Sequence, residues 1–220
     1  MYIPEHFAEH RPEQLYRIIR DNPLGILVTE GESGMDADHI PFELDTGHGT
    51  YGLLTAHVAR SNSVWQRCAG GTPVMVIFRG AEGYISPNWY ASKHETHRQV
   101  PTWNYEVVHV HGVMRVMSEE KLLRRTLALL TRHQESKEIK PWKMGDAPRE
   151  YLDEMVSRVV GIEIEMQCVE CKRKLNQNKS HADRLSAIAH LRERGHVELS
   201  SIMLANLEQP DQGAAPWTLS

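Results

Sequence analysis

Cysteine is scarce in this chain: Cys68, Cys168 and Cys171 are the only three among 220 residues. Three scattered thiols do not make a disulfide framework, so a reduced, cytoplasmic setting is expected. Long apolar runs are missing too. No stretch approaches the ~18 residues that a membrane-crossing helix needs, and the opening MYIPEHFAEH has no basic region followed by an apolar one. Neither a membrane span nor a signal peptide is therefore expected. Excess charge of one sign is also lacking, since 25 Lys and Arg stand against 29 Asp and Glu, a net charge of −4 with neutral histidines. That balance argues against an electrostatic nucleic-acid binder as a whole, while leaving room for a local basic patch. The phosphate-binding GxxxxGKS/T and GxSxG are both absent, which removes the usual nucleotide and hydrolase signatures. His94-Glu95-Thr96-His97 only resembles a zinc-protease motif, because its histidines are three apart rather than four and no third ligand is evident.

What is present suffices for a packed core. Hydrophobic residues make up 40% of the chain, and histidine is frequent at 13. No internal repeat or low-complexity stretch occurs. In the first half, residues 25–31, 37–44, 50–58 and 73–80 read as short strands bounded by Gly and Pro, with 84–90 extending again after a turn at Gly83. From Trp103 to Met117 the pattern is one long strand whose period of two puts Trp103, Tyr105, His109 and His111 on one face. The second half turns helical. Ser118 can cap a helix carrying Leu122, Leu123, Leu127 and Leu130, and Asp146 and Pro148 open another. Residues 161–166 alternate as a strand, and Ser180 with Asp183 reads as a capping box for a helix stopped by Gly195. The fold class expected is α+β: an antiparallel barrel over 1–118, helices and a strand over 119–207 completing the same domain, and a mobile tail over 208–220.

The segment from His57 to Tyr105 is the densest in chemistry. Arg60 and Lys93 can neutralise a phosphate, and Ser61, Ser86, Ser92 and Thr102 can donate hydrogen bonds to it. Trp89, Tyr90, Trp103 and Tyr105 offer apolar faces with polar tips, and Asn104 can both donate to and accept from an amide-like ring edge. The alternative is that these aromatics are core and these charges surface. Cys168-x-x-Cys171 is a single pair, and three-residue spacing in a strand points the thiols to opposite faces, so ordinary cysteines are expected there. His109 and His111 can ligate a metal or line a polar pocket or interface, and the second is expected. Lys172-Arg173-Lys174 can touch DNA, hold a phosphate or form a solvated turn.

Taken in order, these segments resemble the PaiB family, the FMN-binding negative transcriptional regulators. The resemblance rests on the opening MYIPEHF, Pro41, His57-x-Ala-Arg60-x-Asn62, and Ile85-Ser-Pro-x-Trp89-Tyr90 with Ser92-Lys93. It continues through Val100-Pro-Thr-Trp-Asn-Tyr105, Val108-His109-x-His111-Gly112 and Lys174-Leu-x-Gln177-Asn178. Ser63, Cys171, Asn176 and Lys179 depart from that family's pattern. The resemblance implies an FMN-binding split barrel, built as a homodimer with FMN near the subunit interface. It implies that Arg60 and Lys93, helped by Ser86 and Thr102, take the phosphate, and that Trp89, Tyr90, Trp103, Asn104 and Tyr105 contact or shape the ring pocket. His57 is a further candidate, and Lys174, Gln177, Asn178 and Lys179 would reach the cofactor from the second half or the partner. The implied function is repression of genes such as those for sporulation and degradative enzymes, with DNA a possible partner. The alternative is an FMN-dependent oxidoreductase like the pyridoxamine-phosphate oxidases and flavin reductases.

Overall fold

Alternating burial decides most of the strands. In β1 (Leu24–Gly31) every second side chain from Gly25 to Thr29 is buried, as a sheet with one face on a core requires. The computed structural model, which describes residues 1–31, 34–67 and 70–208, carries six further strands: β2 (Gly34–Pro41), β3 (Glu43–Asp45), β4 (Leu53–Ala59), β5 (Thr72–Ile85), β6 (Thr102–Val116) and β7 (Val159–Lys174). They form one seven-stranded sheet in the order β2-β1-β5-β6-β7-β4-β3. β1 pairs antiparallel with β2 and β5, and β4 with β3 and β7. The far ends of that order approach each other, because β2 packs against β4 and Asn62 Nδ2 donates to Asp38 Oδ1 at 2.7 Å. The fold is thus the expected α+β split barrel, closed there by side chains rather than by a strand ladder. Cys68 and the tail beyond Glu208 lie outside the described residues.

Among the described residues, seven helices accompany the sheet: α1 (Pro12–Asp21), α2 (Val64–Arg67), α3 (Ala91–Thr96), α4 (Glu120–Glu135), α5 (Arg149–Ser157), α6 (His181–Glu193) and α7 (Val197–Glu208). The chain divides into two compact units. The first takes Met1–Asp21, Arg79–Val108 and Glu170–Ser220, and the second takes Asn22–Phe78 and His109–Val169. The core of the second unit gathers Leu27, Phe42, Leu54, Phe78, Met114 and Ile162, with Phe42 edge-on to Phe78 at 5.9 Å between ring centroids. The core of the first packs Ile85, Tyr90, Leu175, Leu191, Leu199 and Met203 together. Each such side chain contributes roughly 1.5–3 kcal/mol on leaving water.

Several boundaries differ from the sequence reading for physical reasons. Gly83 makes no turn. It lies inside the 14-residue β5, where a Cβ would stand 2.9 Å from Leu199 Cδ2, so the glycine serves close packing against α7. β4 starts after Gly52, which adopts a positive φ of 110°. The residue preceding α4 is Glu119 rather than Ser118, and it makes no side-chain cap. Ser180 caps α6 by accepting from the Asp183 amide, but the Asp183 carboxylate turns to Ser92, so only half a capping box forms. α1 and α7 were not anticipated at all.

The first unit also buries an ionic cluster. Arg173 donates to Glu106 Oε1 at 2.6 Å and Glu9 Oε2 at 2.9 Å, while Arg11 holds Glu9 and Arg17 holds Glu106. Burial alone would raise the Glu9 carboxyl pKa, but its bonds from Arg11 and Arg173 bring it from 4.5 down to about 2. A carboxylate depressed on folding contributes stability that is present above its unfolded value and lost as protons bind. We therefore expect stability to fall between about pH 4.5 and 2 and that fall to flatten in Glu9→Gln, as measured by urea midpoints across that range.

Candidate functional site

β7 carries the decisive local feature. Val160, Ile162, Ile164 and Met166 are buried at even positions, Gln167 and Cys168 are both exposed, and Cys171, Arg173 and Leu175 are then buried at odd positions. The inward register of the strand therefore shifts by one position along its length. The basic run is thereby split: Arg173 turns in to its two carboxylates, whereas Lys172 and Lys174 are only partly covered. The same alternation leaves Cys168 exposed and Cys171 buried, so the thiols point apart as their spacing predicts.

Beyond β7, Asn176 takes a left-handed φ of 66° and turns the chain. Gln177 holds this turn, accepting from the Leu175 amide at 2.7 Å and donating to the Arg173 carbonyl at 2.6 Å. The turn delivers Lys179, whose Nζ donates to Gln99 at 2.7 Å and lies 5.0 Å from the Tyr90 ring centroid. Lys174 Nζ donates to Thr102 Oγ1 at 2.5 Å. Lys172 Nζ donates to the Tyr2 carbonyl and lies about as close to the Tyr2 ring, 5.6 Å, as to the Tyr105 ring, 5.5 Å. Among the described residues, none of Lys172, Lys174 and Lys179 is ion-paired with a carboxylate. Burial, then repulsion from Lys172 and Lys179, pushes the Lys174 pKa down. Close by in β6 and β5, Trp103 and Tyr84 meet edge to face at 6.3 Å, each about half exposed.

The remaining candidates occupy varied positions. Ser86 accepts from the Asn88 amide and caps the short 3-10 turn Pro87–Trp89. Trp89 is buried, stacked on His190 at 5.8 Å with Arg194 4.9 Å away, so it is a core residue. Tyr90 is fully buried, and its hydroxyl donates to Asn176 Oδ1; burial raises its pKa to about 12. These two can shape a pocket from behind but cannot lie against a ring. Lys93 on α3 is part-covered and unpaired among the described residues, and Asn178 is exposed. Asn104 is fully buried, with Nδ2 directed at Met203 Sδ at 3.4 Å and Oδ1 unsatisfied.

His57 and Arg60 belong to the second unit. Burial lowers the His57 pKa, and its Nδ1 is buried without a partner. Arg60 lines an open cleft with Trp65, and its guanidinium is engaged by the carbonyls of Ser157 at 2.7 Å and Val159 at 3.1 Å. His109 and His111 are half-buried on the same face of β6, as period two requires. Sequence reasoning missed Tyr84 and Gln99. Tyr84 was legible as the exposed position between inward Gly83 and Ile85, whereas nothing local marked Gln99.

The model of the family described as "Putative FMN-binding domain" matches residues 1–168. The chain belongs to this FMN-binding domain family. Its curated relatives include the Bacillus subtilis protease synthase and sporulation protein PAI 2, 27% identical over 87% of this chain and 89% of that protein. An uncharacterised Emericella nidulans protein is 30% identical over 89% of this chain and 92% of its own. In fold, the chain is similar to the FAD and heme binding protein of Mycobacterium smegmatis, with a TM-score of 0.57 and 14% identity, covering 82% of this chain and 79% of that one.

The residues present fit the group that the FMN-binding domain family is named for. A phosphate dianion needs concentrated positive charge without competing carboxylates. The Lys172–Lys174–Lys179 cluster supplies the charge, with the Thr102 hydroxyl in place; Asp183 is near enough to Lys179 to feel it but forms no ion pair with it among the described residues. A flat ring needs accessible aromatic or apolar faces, which Trp103 and Tyr84 present. Among the described residues, no helix is long and apolar enough to cross a membrane.

Proposed function

We propose that the protein binds FMN on the lysine surface of the first unit and serves as a flavin-dependent regulator of the PaiB type. The observation that carries the proposal is the Lys174 ammonium on the Thr102 hydroxyl, with Lys172 and Lys179 near enough to repel it and none of the three in an ion pair among the described residues. In this reading Lys174 and Lys179, with Thr102, hold the phosphate, Lys93 adds charge from α3, and Trp103 and Tyr105 border the ring. Bound FMN would supply one- and two-electron redox chemistry, and the chain's part is to position it and set its electrostatics. Arg60 is the second candidate for the phosphate, since one terminal nitrogen is left over from its two backbone bonds. A homodimer, which the resemblance to the PaiB family implies, would be revealed by sedimentation velocity.

The regulatory part follows the name of PAI 2. Burial of Arg173 removes the middle of the only dense basic run, so direct DNA binding through that run is disfavoured and the effect on genes would be indirect. The oxidoreductase reading is favoured by the exposure of Trp103 and Tyr84, which leaves an open side for a second molecule at the ring. Mass spectrometry of the ligand released on denaturation should find FMN. Lys174→Ala should weaken FMN binding by about 1.5–3 kcal/mol, the scale of a charge-assisted hydrogen bond. Unchanged affinity in Lys174→Ala and loss in Arg60→Ala would move the phosphate to the Arg60 cleft. Rapid bleaching by a reduced nicotinamide cofactor would select the enzyme reading, and retardation of promoter DNA at physiological salt would restore direct DNA binding.

A further inference from the structure

The second unit contains a cleft of about 570 Å³ beneath α4, separate from every residue assigned above to FMN. That volume suits a small organic ligand. Its floor is set by strand register. Glu43 pairs with Thr55, and Thr55 with Glu163, so these three residues form one row across β3, β4 and β7. Two residues along, Asp45, Leu53 and Glu165 form a second row. All six line the cleft. Its roof is the stripe Leu122, Thr126, Leu129 and His133 of α4, residues at helical spacing on one face.

The two rows differ in what is already neutralised. In the second, Glu165 is paired with Arg115 at 3.4 Å, and Asp45 accepts from the Gly47 amide and from His48, with Arg125 also acting on it. In the first, the Glu43 side chain is nine-tenths buried; Oε2 is bonded to His133 Nδ1 at 2.6 Å, and Oε1 has no partner among the described residues. Thr55 Oγ1 and the Glu163 carboxylate likewise have none among the described residues. Most of this carboxylate is withdrawn from water, and its unpartnered oxygen, which keeps some exposure, can accept from a donor in the cleft. A row of carboxylate, hydroxyl and carboxylate presents three acceptors, matching the three N–H donors of a primary ammonium. Leu53, Leu122 and Leu129 then offer an apolar wall for the chain that carries it.

We propose that the Glu43–Thr55–Glu163 row binds the terminal ammonium of a small aliphatic primary amine, whose hydrocarbon tail lies between Leu53 and the Leu122–Leu129 face of α4. The site discriminates by both charge and donor number. Hexylamine, N,N,N-trimethylhexylammonium and hexanol, titrated separately into the full chain by isothermal calorimetry, test it. Hexylamine should bind saturably, and the other two at least about tenfold more weakly, since one lacks the N–H donors and the other the charge. Glu163→Gln should weaken hexylamine at least about tenfold and Thr55→Val about threefold, with FMN content unchanged in both. Both positions are part-exposed, so these variants keep the test independent of Glu43→Gln, which could unfold by stranding His133. No saturable hexylamine binding, equal binding of the trimethylated cation or hexanol, or unchanged binding in Glu163→Gln would each overturn the proposal.

Discussion

Arg173→Ala is expected to destabilise the protein by about 3 kcal/mol, the lower end of the cost of breaking a buried ion pair by removing one partner. Arg173 bridges Glu9 and Glu106, whose side chains are 1% and 0% exposed. Removing the bridge leaves Glu9 to Arg11 and Glu106 to Arg17, both on the rim of the cluster. Glu106 Oε2 is already buried without a partner, so little reserve remains on that side. These rim partners are why the lower end applies. A loss of this size is a large share of the 5–15 kcal/mol that typically holds a domain folded. Urea denaturation at neutral pH reads it directly, and a change under about 1 kcal/mol would show that water enters and replaces the guanidinium. Arg173→Met combined with Glu106→Leu should recover only part of the loss, because the Glu106 charge goes with its partner while buried Glu9 is left to Arg11 alone.

Gly112→Ala should cost about as much, roughly 3 kcal/mol, at the upper end of overpacking penalties. A Cβ there would stand 2.3 Å from the Glu165 carbonyl oxygen and 2.8 Å from Ile164 Cγ2. The first of these is backbone of β7, which neighbours β6 in the sheet, so relief requires the two strands to part. Gly161→Ala provides the contrast. Its Cβ would meet Met117 Sδ at 2.5 Å, but an unbranched thioether can swing aside, so about 1 kcal/mol is expected. Thermal unfolding of the two variants side by side should rank them in that order. Equal melting temperatures would mean that β6 and β7 separate more easily than the packing implies.

The strands were the most legible part of the chain. Wherever one face meets a core and the other does not, alternation is written into the residues, and β1 and β6 came out within a residue or so of expectation. Gly83 and the capping box of α6 were misread because a glycine signals a turn and a close approach with the same letter, and because a capping side chain can be taken by another partner, as Asp183 is by Ser92. Among the candidate residues, Trp89 and Tyr90 illustrate the difficulty. An amphipathic aromatic looks the same in sequence whether it faces a ligand or a core, and only the packing of α6 and α7 against this segment showed that it faces the core.

Composition, period and turn chemistry by themselves determined the class of fold, the long β6 strand, the divergence of the two thiols and the aromatic and cationic content of the segment from His57 to Tyr105, because each is a property of near neighbours along the chain. Tertiary structure decided which charges are available. Lys172, Arg173 and Lys174 are adjacent and chemically alike, yet the shift of inward register along β7 turns the middle one into the core and leaves the outer two only partly covered. The Glu43–Thr55–Glu163 row was equally invisible, since its members come from three strands and meet only through register. Burial and cross-strand pairing depend on residues far apart in sequence, and it is these that assign a charged side chain to structure or to a ligand.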